Sequence, residues 1–163
     1  LYPDIVRAQA KITNPVRDTE TRLAAAAAIC AAQGAKLTPQ RRTVLRLILE
    51  STSPPTAYQL LDRLKQEQNS AVPPTIYRAL DFLLENRLIH KIERLSAFVS
   101  CVDAGHHHAH AAQFLICQRC GAVAELEDHD VSSAIAQAAA AQNFAPAHAV
   151  IEIEGICAVC SAS

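Results

Sequence analysis

Four cysteines near the end of the chain form two Cys-x-x-Cys pairs, Cys117-Gln118-Arg119-Cys120 and Cys157-Ala158-Val159-Cys160. Each pair can present two thiolates to one side of a metal ion. Two pairs complete a tetrahedral four-sulfur shell, the closed geometry of structural zinc. A redox dithiol is the competing chemistry, but such motifs usually occur once, beside a β-α-β pattern. The 36 residues between Cys120 and Cys157 exceed the usual zinc-ribbon spacing, so a helix is expected between the pairs. Just upstream lies His106-His107-His108-Ala109-His110. Alternate members such as His108 and His110 point the same way on an extended segment. With His90, Cys101, Glu125, Glu127, Asp128, His129, Asp130 and His148 they leave a mixed nitrogen, sulfur and oxygen inventory for a second metal site. A thiolate in that set favours zinc over ferrous iron or manganese.

Those ligands need a scaffold, and 163 residues suffice for one ordinary domain or two small ones. Half the residues are hydrophobic, and no apolar run approaches a membrane span. Leu1 to Arg17 has no long apolar stretch and does not read as a secretory signal. A reducing, cytoplasmic setting is therefore expected, where paired cysteines bind metal or do redox chemistry. The net charge of −1 conceals an asymmetry. Residues 1–94 hold 14 Lys/Arg and 9 Asp/Glu, whereas residues 95–163 hold one Lys/Arg, seven Asp/Glu and six of the seven histidines. The pattern suits a basic half facing a polyanion and an acidic half facing cations. Uneven charge on two solvated surfaces is the plainer alternative.

Helix signals fill the first half. Thr21 to Gln33 is rich in alanine, holds Cys30 as a small core residue, and is followed by Gly34, a natural C-cap. Thr38 and Pro39 suit the N-cap and first position of a second helix carrying Val44, Leu45, Ile48 and Leu49. Thr56 can cap a third, with Leu60, Leu61 and Leu64. Thr75 can cap a fourth, Ile76 to Asn86, with Ile76, Leu80, Leu83 and Leu84 on one face. Leu88–Glu93 and Ala97–Ser100 then read as a hairpin. Three compact helices and a hairpin are the plan of a winged helix, whose recognition helix enters the major groove by its N-terminal end. Tyr77 and Arg78 lie in the first turn of that expected helix, and Thr75 stands at its start. Arginine can read guanine edges, and tyrosine can meet a thymine methyl or a phosphate. Arg41 and Arg42 suit phosphates. A generic helical bundle with exposed Arg and Tyr is the alternative. In the second half, Phe114–Ile116 and Gly121–Leu126 read as strands around the first Cys pair. Val131–Gln142 reads as a helix and Ala149–Glu154 as a strand. An apolar sheet face or edge of this kind invites a two-fold partner.

These residues together resemble the ferric uptake regulator superfamily, most closely its zinc uptake regulator branch. The resemblance covers roughly residues 20–160. It rests on Leu37-Thr38-Pro39-Gln40-Arg41, Pro74-Thr75-Ile76-Tyr77-Arg78-Ala79-Leu80, the His cluster and both Cys pairs in order. It implies an α+β protein in which an N-terminal winged-helix DNA-binding domain joins a small C-terminal α/β dimerisation domain with a four-cysteine structural zinc. The expected divisions are an extension at 1–19, the winged helix at 20–102 with its wing at about 88–101, a His-rich hinge at 103–111, and the dimerisation and metal domain at 112–163. Tyr77 and Arg78 match base-contacting positions. Cys117, Cys120, Cys157 and Cys160 match structural zinc ligands. His90, Cys101, His110 and Glu125 match the regulatory zinc site of the zinc branch, and His106, His108 and His148 are candidates for an additional metal. Iron and peroxide sensors of the superfamily use nitrogen and oxygen ligands only, so Cys101 points to zinc.

The implied function is a homodimeric, zinc-responsive repressor, not an enzyme, that binds an AT-rich inverted-repeat operator in double-stranded DNA. It would control zinc uptake or homeostasis genes. Zinc held by His90, Cys101, His110 and Glu125 would fix one domain against the other and so set the spacing of two recognition helices. An iron or peroxide sensor, a zinc enzyme and a zinc buffer that ignores DNA are the rivals. The His-x-Glu with Pro-Cys-x-x-Cys pattern of deaminases and the His-Glu-x-x-His motif are both absent.

Overall fold

The computed structural model describes residues 15–101, 111–126, 128–147 and 149–162. Contacts divide the chain between residues 105 and 106 into two compact units. No helix among the described residues is long and apolar enough to cross a membrane.

The first unit contains α1 (Pro15–Ala32), α2 (Pro39–Leu49), α3 (Ala57–Glu67) and α4 (Pro73–Glu85). The hairpin strands β1 (Ile89–Ile92) and β2 (Ala97–Ser100) follow. Helix α1 starts earlier than its alanine run suggests. It ends where Gly34 adopts φ +70°. The Ala35 N–H reaches the Cys30 carbonyl and the Gly34 N–H reaches Ala31, the paired bonds of a Schellman cap. Thr38 caps α2 with Pro39 at the first helical position. Thr56 and Gln59 form a reciprocal capping box on α3. Helix α4 departs from expectation: it begins at Pro73, with Val72 as an N-cap that makes no side-chain bond. Two prolines fit there because first-turn N–H groups lack helical partners anyway. Tyr77 and Arg78 accordingly lie in the second turn.

Apolar stripes at helical spacing build one core. Leu23, Ala26 and Cys30 of α1 meet Val44, Leu45, Leu47 and Ile48 of α2. Leu60, Leu61 and Leu64 join from α3, and Ile76, Ala79, Leu80 and Leu83 from α4. Ile89 and Phe98 bring in the hairpin, whose register pairs His90 with Val99 and Ile89 with Ser100. An isolated bridge from Thr56 to Ala97 adds a short third edge to it. Each buried leucine contributes roughly 2 kcal/mol.

The second unit is a three-stranded sheet of β3 (Ala112–Cys117), β4 (Val123–Leu126) and β5 (Val150–Gly155), ordered β4-β3-β5. Strands β3 and β4 are antiparallel, and β3 and β5 are parallel. A parallel return needs a crossover. Helix α5 (His129–Ala141) supplies it, beginning two residues before the apolar run and capped by Asp128. The buried Gln113 donates to the Asp128 carbonyl at 2.9 Å and to Ser132 Oγ at 3.0 Å, pinning the first turn of α5 to the sheet. A short helix, α6 (Ala158–Ser161), closes the described chain.

Replacing Thr56 by Ala removes one half of the α3 capping box. The first unit should lose about 1 kcal/mol. Urea denaturation followed by helical circular dichroism measures it, and an unchanged midpoint would show the cap to be dispensable.

Candidate metal centre and nucleic-acid interface

Strand β3 ends in Cys117, and the tight turn after it carries Cys120. The parallel register sets Cys117 beside Gly155 at the end of β5. Two residues later Cys157 becomes the N-cap of α6, and Cys160 lies within that helix. The fold thus converges two sequence-distant pairs at one end of the sheet, with all four sulfurs within 4.8 Å of one another. Zinc–sulfur bonds of about 2.3 Å in a tetrahedron require sulfur–sulfur edges of about 3.8 Å. The Cys120 and Cys157 sulfurs are 3.8 Å apart. This donor set fits a structural zinc ion and leaves no open position for a substrate.

The surroundings suit anionic sulfur. The Cys157 backbone N–H points at Cys117 Sγ from 3.4 Å. That donor, joined by the Cys120 backbone N–H, holds the Cys117 thiol down at about 6. Hydrogen bonds with the Cys157 and Cys120 side chains push Cys160 up to about 12. Without metal, Cys117 is therefore favoured as a thiolate at neutral pH while Cys160 stays a thiol. Arg119 donates to the Cys160 carbonyl and clasps the two pairs together. Sequence spacing gave no sign of that clasp.

The other expected ligands divide. His90 lies in β1, opposite Val99. Cys101 follows β2, and its N–H extends the ladder to the Leu88 carbonyl at 3.0 Å. Opposed residues and alternate residues share a sheet face. His90 and Cys101 thus occupy one face of the hairpin, both half-buried. Glu125 lies in β4, paired with Phe114. His106, His108, His110 and His148 lie outside the described residues.

On the first unit, Arg78 is exposed and Tyr77 is 56% exposed, while Thr75 is half-buried. A shallow notch of about 250 Å³ opens between the starts of α2 and α4, lined by Thr38, Gln40, Arg41, Thr75, Arg78 and Ala79. Arg41 stacks 3.6 Å above the Phe82 ring and donates to the Lys36 carbonyl at 2.8 Å. Arg42 forms an ion pair with Glu20 of α1 at 2.7 Å. Both arginines are half-buried and already engaged within the unit. Gln40, which the sequence offers only as part of the Leu37–Arg41 motif, lines the same notch.

Comparison with known proteins accords with this layout. The model of the ferric uptake regulator family matches residues 32–154. The zinc uptake regulation protein of Escherichia coli strain K12 is 44% identical over 142 residues, covering 87% of this chain and 82% of that protein. A solved zinc uptake regulator complexed with zinc and DNA is 43% identical, with a TM-score of 0.82 over 88% of this chain and 95% of that one. The holo form of XcZur is 42% identical with a TM-score of 0.76, covering 88% of this chain and 99% of its own. Its apo form, at 41% identity and coverages of 90% and 99%, gives 0.52. The two forms of that relative therefore differ from each other in shape.

Zinc retention by the four-cysteine cluster should be pH-dependent, since its thiols must lose protons to bind. A thiol lowered from 9.0 to about 6 gives stabilisation present above 9 and lost as pH falls through 6. The raised Cys160 acts oppositely, resisting ionisation up to about 12. Zinc transfer to a chromogenic chelator should therefore accelerate as pH falls below neutral, because protons compete with the ion for the thiolates. Cys117→Ser should lose the ion and unfold the second unit at lower temperature. A release rate flat across that range would contradict the assignment of the cluster.

Proposed function

This chain belongs to the ferric uptake regulator family, and from that premise we propose that it is a zinc-responsive transcriptional repressor. It binds an AT-rich inverted-repeat operator as a homodimer when loaded with zinc, and it controls genes of zinc uptake. The domain divisions are those of the motifs: a winged helix to about residue 102, a His-rich hinge at 103–111, and a dimerisation and metal domain from 112. One pairing carries the proposal. An exposed Tyr77-Arg78 dipeptide sits near a helix N-terminus. In the same unit, an imidazole and a thiol share one face of the following hairpin. One element can read DNA and the next can hold a metal.

Tyr77 and Arg78 contact bases, while Thr75, Arg41 and Arg42 take phosphates at the notch between α2 and α4. His90 and Cys101 supply two sensor ligands, and His110 and Glu125 complete the set from the second unit. The sulfur at Cys101 selects zinc over iron and manganese. His106, His108 and His148 remain candidates for an additional ion. Cys117, Cys120, Cys157 and Cys160 hold the structural zinc, whose chemistry is to close the second unit. Support for a dimer comes from apolar side chains that the single chain leaves exposed. Ile135, Phe144, Val150, Ile153, Ile156 and Val159 are all on the second unit. A second copy related by two-fold symmetry would cover such a surface and present two recognition helices at half-site spacing.

Zinc favours the DNA-competent arrangement, and DNA in return tightens zinc. Shifting that equilibrium from 1:99 to 99:1 requires about 5.5 kcal/mol of preferential zinc binding. Support for such a shift comes from the holo and apo forms of XcZur, which differ in shape.

Fluorescence anisotropy with an AT-rich inverted-repeat duplex, at fixed salt and buffered free zinc, tests the proposal. Binding should switch on at trace zinc before ferrous iron or manganese acts. Arg78→Ala should cost about 1–3 kcal/mol and relax base preference, while Arg42→Ala should weaken all sequences alike and reduce the salt slope by about one. Cys101→Ser should abolish zinc dependence yet leave the dimer folded. Preferential response to iron would assign the protein to another branch of the family, and indifference to every metal would favour a zinc buffer.

A further inference from the structure

Helix α1 carries two polar side chains that reach away from it in different directions. Glu20 pairs with Arg42 at the start of α2. Two residues on, Arg22 Nη2 donates to Ser100 Oγ at 2.7 Å, in a partly buried bond spanning 78 positions of sequence. Ser100 is the last residue of β2 and pairs with Ile89. The next residue is Cys101, whose N–H continues the ladder to Leu88. The Arg22 bond therefore falls on the side chain of the residue just before the expected sensor thiol, at the end of the strand, and adds a side-chain tether to the ladder bonds there.

Neighbouring Leu23 and Ala26 are buried in the core, so α1 is a rigid base for that reach. An arginine fork keeps fixed geometry when one of its N–H groups is engaged. Groups that orient a metal ligand without touching the metal are commonly worth 10–100-fold in affinity. We propose that Arg22 is a positioning residue for the zinc sensor, acting through Ser100 to fix the backbone that presents Cys101. The inference rests on Cys101 and His90 being sensor ligands. It adds a determinant of the zinc set-point that lies in the helix farthest from the metal in sequence.

The test uses the full-length zinc-loaded dimer and measures DNA binding against buffered free zinc. Arg22→Ala and Ser100→Ala should each raise the free zinc needed for half-maximal binding by roughly tenfold. Arg22→Lys should retain part of the effect. The double variant should be no worse than Arg22→Ala alone, because that change already removes the bond to Ser100. Affinity for DNA at saturating zinc and the thermal midpoint should stay near wild type. A purely structural role would lower those two quantities without moving the zinc midpoint, and that outcome would overturn the proposal. Additive single effects would overturn it too. Cys101→Ser, run in parallel, separates the two levels. Unchanged zinc dependence there removes the sensor assignment itself. Lost dependence there, with wild-type Arg22→Ala and Ser100→Ala, removes only the role of Arg22.

Discussion

The meeting of four sulfurs at one end of the second sheet is the constraint on which that unit depends. Among the described residues its three strands and two helices bury little beyond β3: no residue of α5 or α6 is buried, and Leu115 and Ile153 face outward. So thin a layer cannot offset the conformational entropy of ordering it. A tetrahedral ion tying Cys117 and Cys120 to Cys157 and Cys160 closes a loop of nearly the whole unit. Its binding free energy becomes folding free energy. The parallel register of β3 with β5 and the Arg119 clasp bring the pairs to the spacing that a zinc tetrahedron needs.

The first unit has no such need. Four helices and the hairpin share one continuous core in which Leu23, Leu60, Leu64, Ile76 and Leu83 are wholly buried. Caps at Thr38 and Thr56 and the Gly34 turn fix where helices start and stop. Such a body can move as a unit without losing its fold. The hairpin that carries His90 and Cys101 is anchored in it through Ile89 and Phe98. In the function proposed above, a metal bound there would act on an already stable body. On that proposal, the contrast between a metal that makes a fold and a metal that steers one would follow from where apolar side chains are plentiful.

Much of this was legible in the residues. The Cys pairs announce their own convergence because ligand spacing is short-range and chemically narrow. The caps at Thr38 and Thr56 were readable because their partners lie three residues away. The start of α4 was misjudged: Thr75 looks like a cap, but the two prolines before it are tolerated in a first turn. The early start of α5 escaped because Asp128, its cap, precedes the apolar residues. Interactions across long sequence distance left no local trace. Arg22 with Ser100, Arg119 with the Cys160 carbonyl and Arg41 over Phe82 each join a cation to a partner that only the tertiary fold selects.

Those long-range bonds bear on how a basic surface meets DNA. Arg41 is held by a ring and a carbonyl, so part of its rotamer entropy is spent in folding and a phosphate that meets it orders less. On the proposed function, Arg42 would instead exchange Glu20 for phosphate, and an exposed pair of that kind gives way at a cost of at most about 1 kcal/mol. Glu20 stands two residues from Arg22, so one turn of α1 touches both the start of α2 and the strand that ends at Ser100. Coupling between two sites needs an element on which both act. In this unit α1 meets that requirement through two polar contacts. On the proposed function, release of Arg42 to DNA and the ordering of Cys101 by zinc would bear on the same rigid helix, and linkage would make their effects on one another reciprocal.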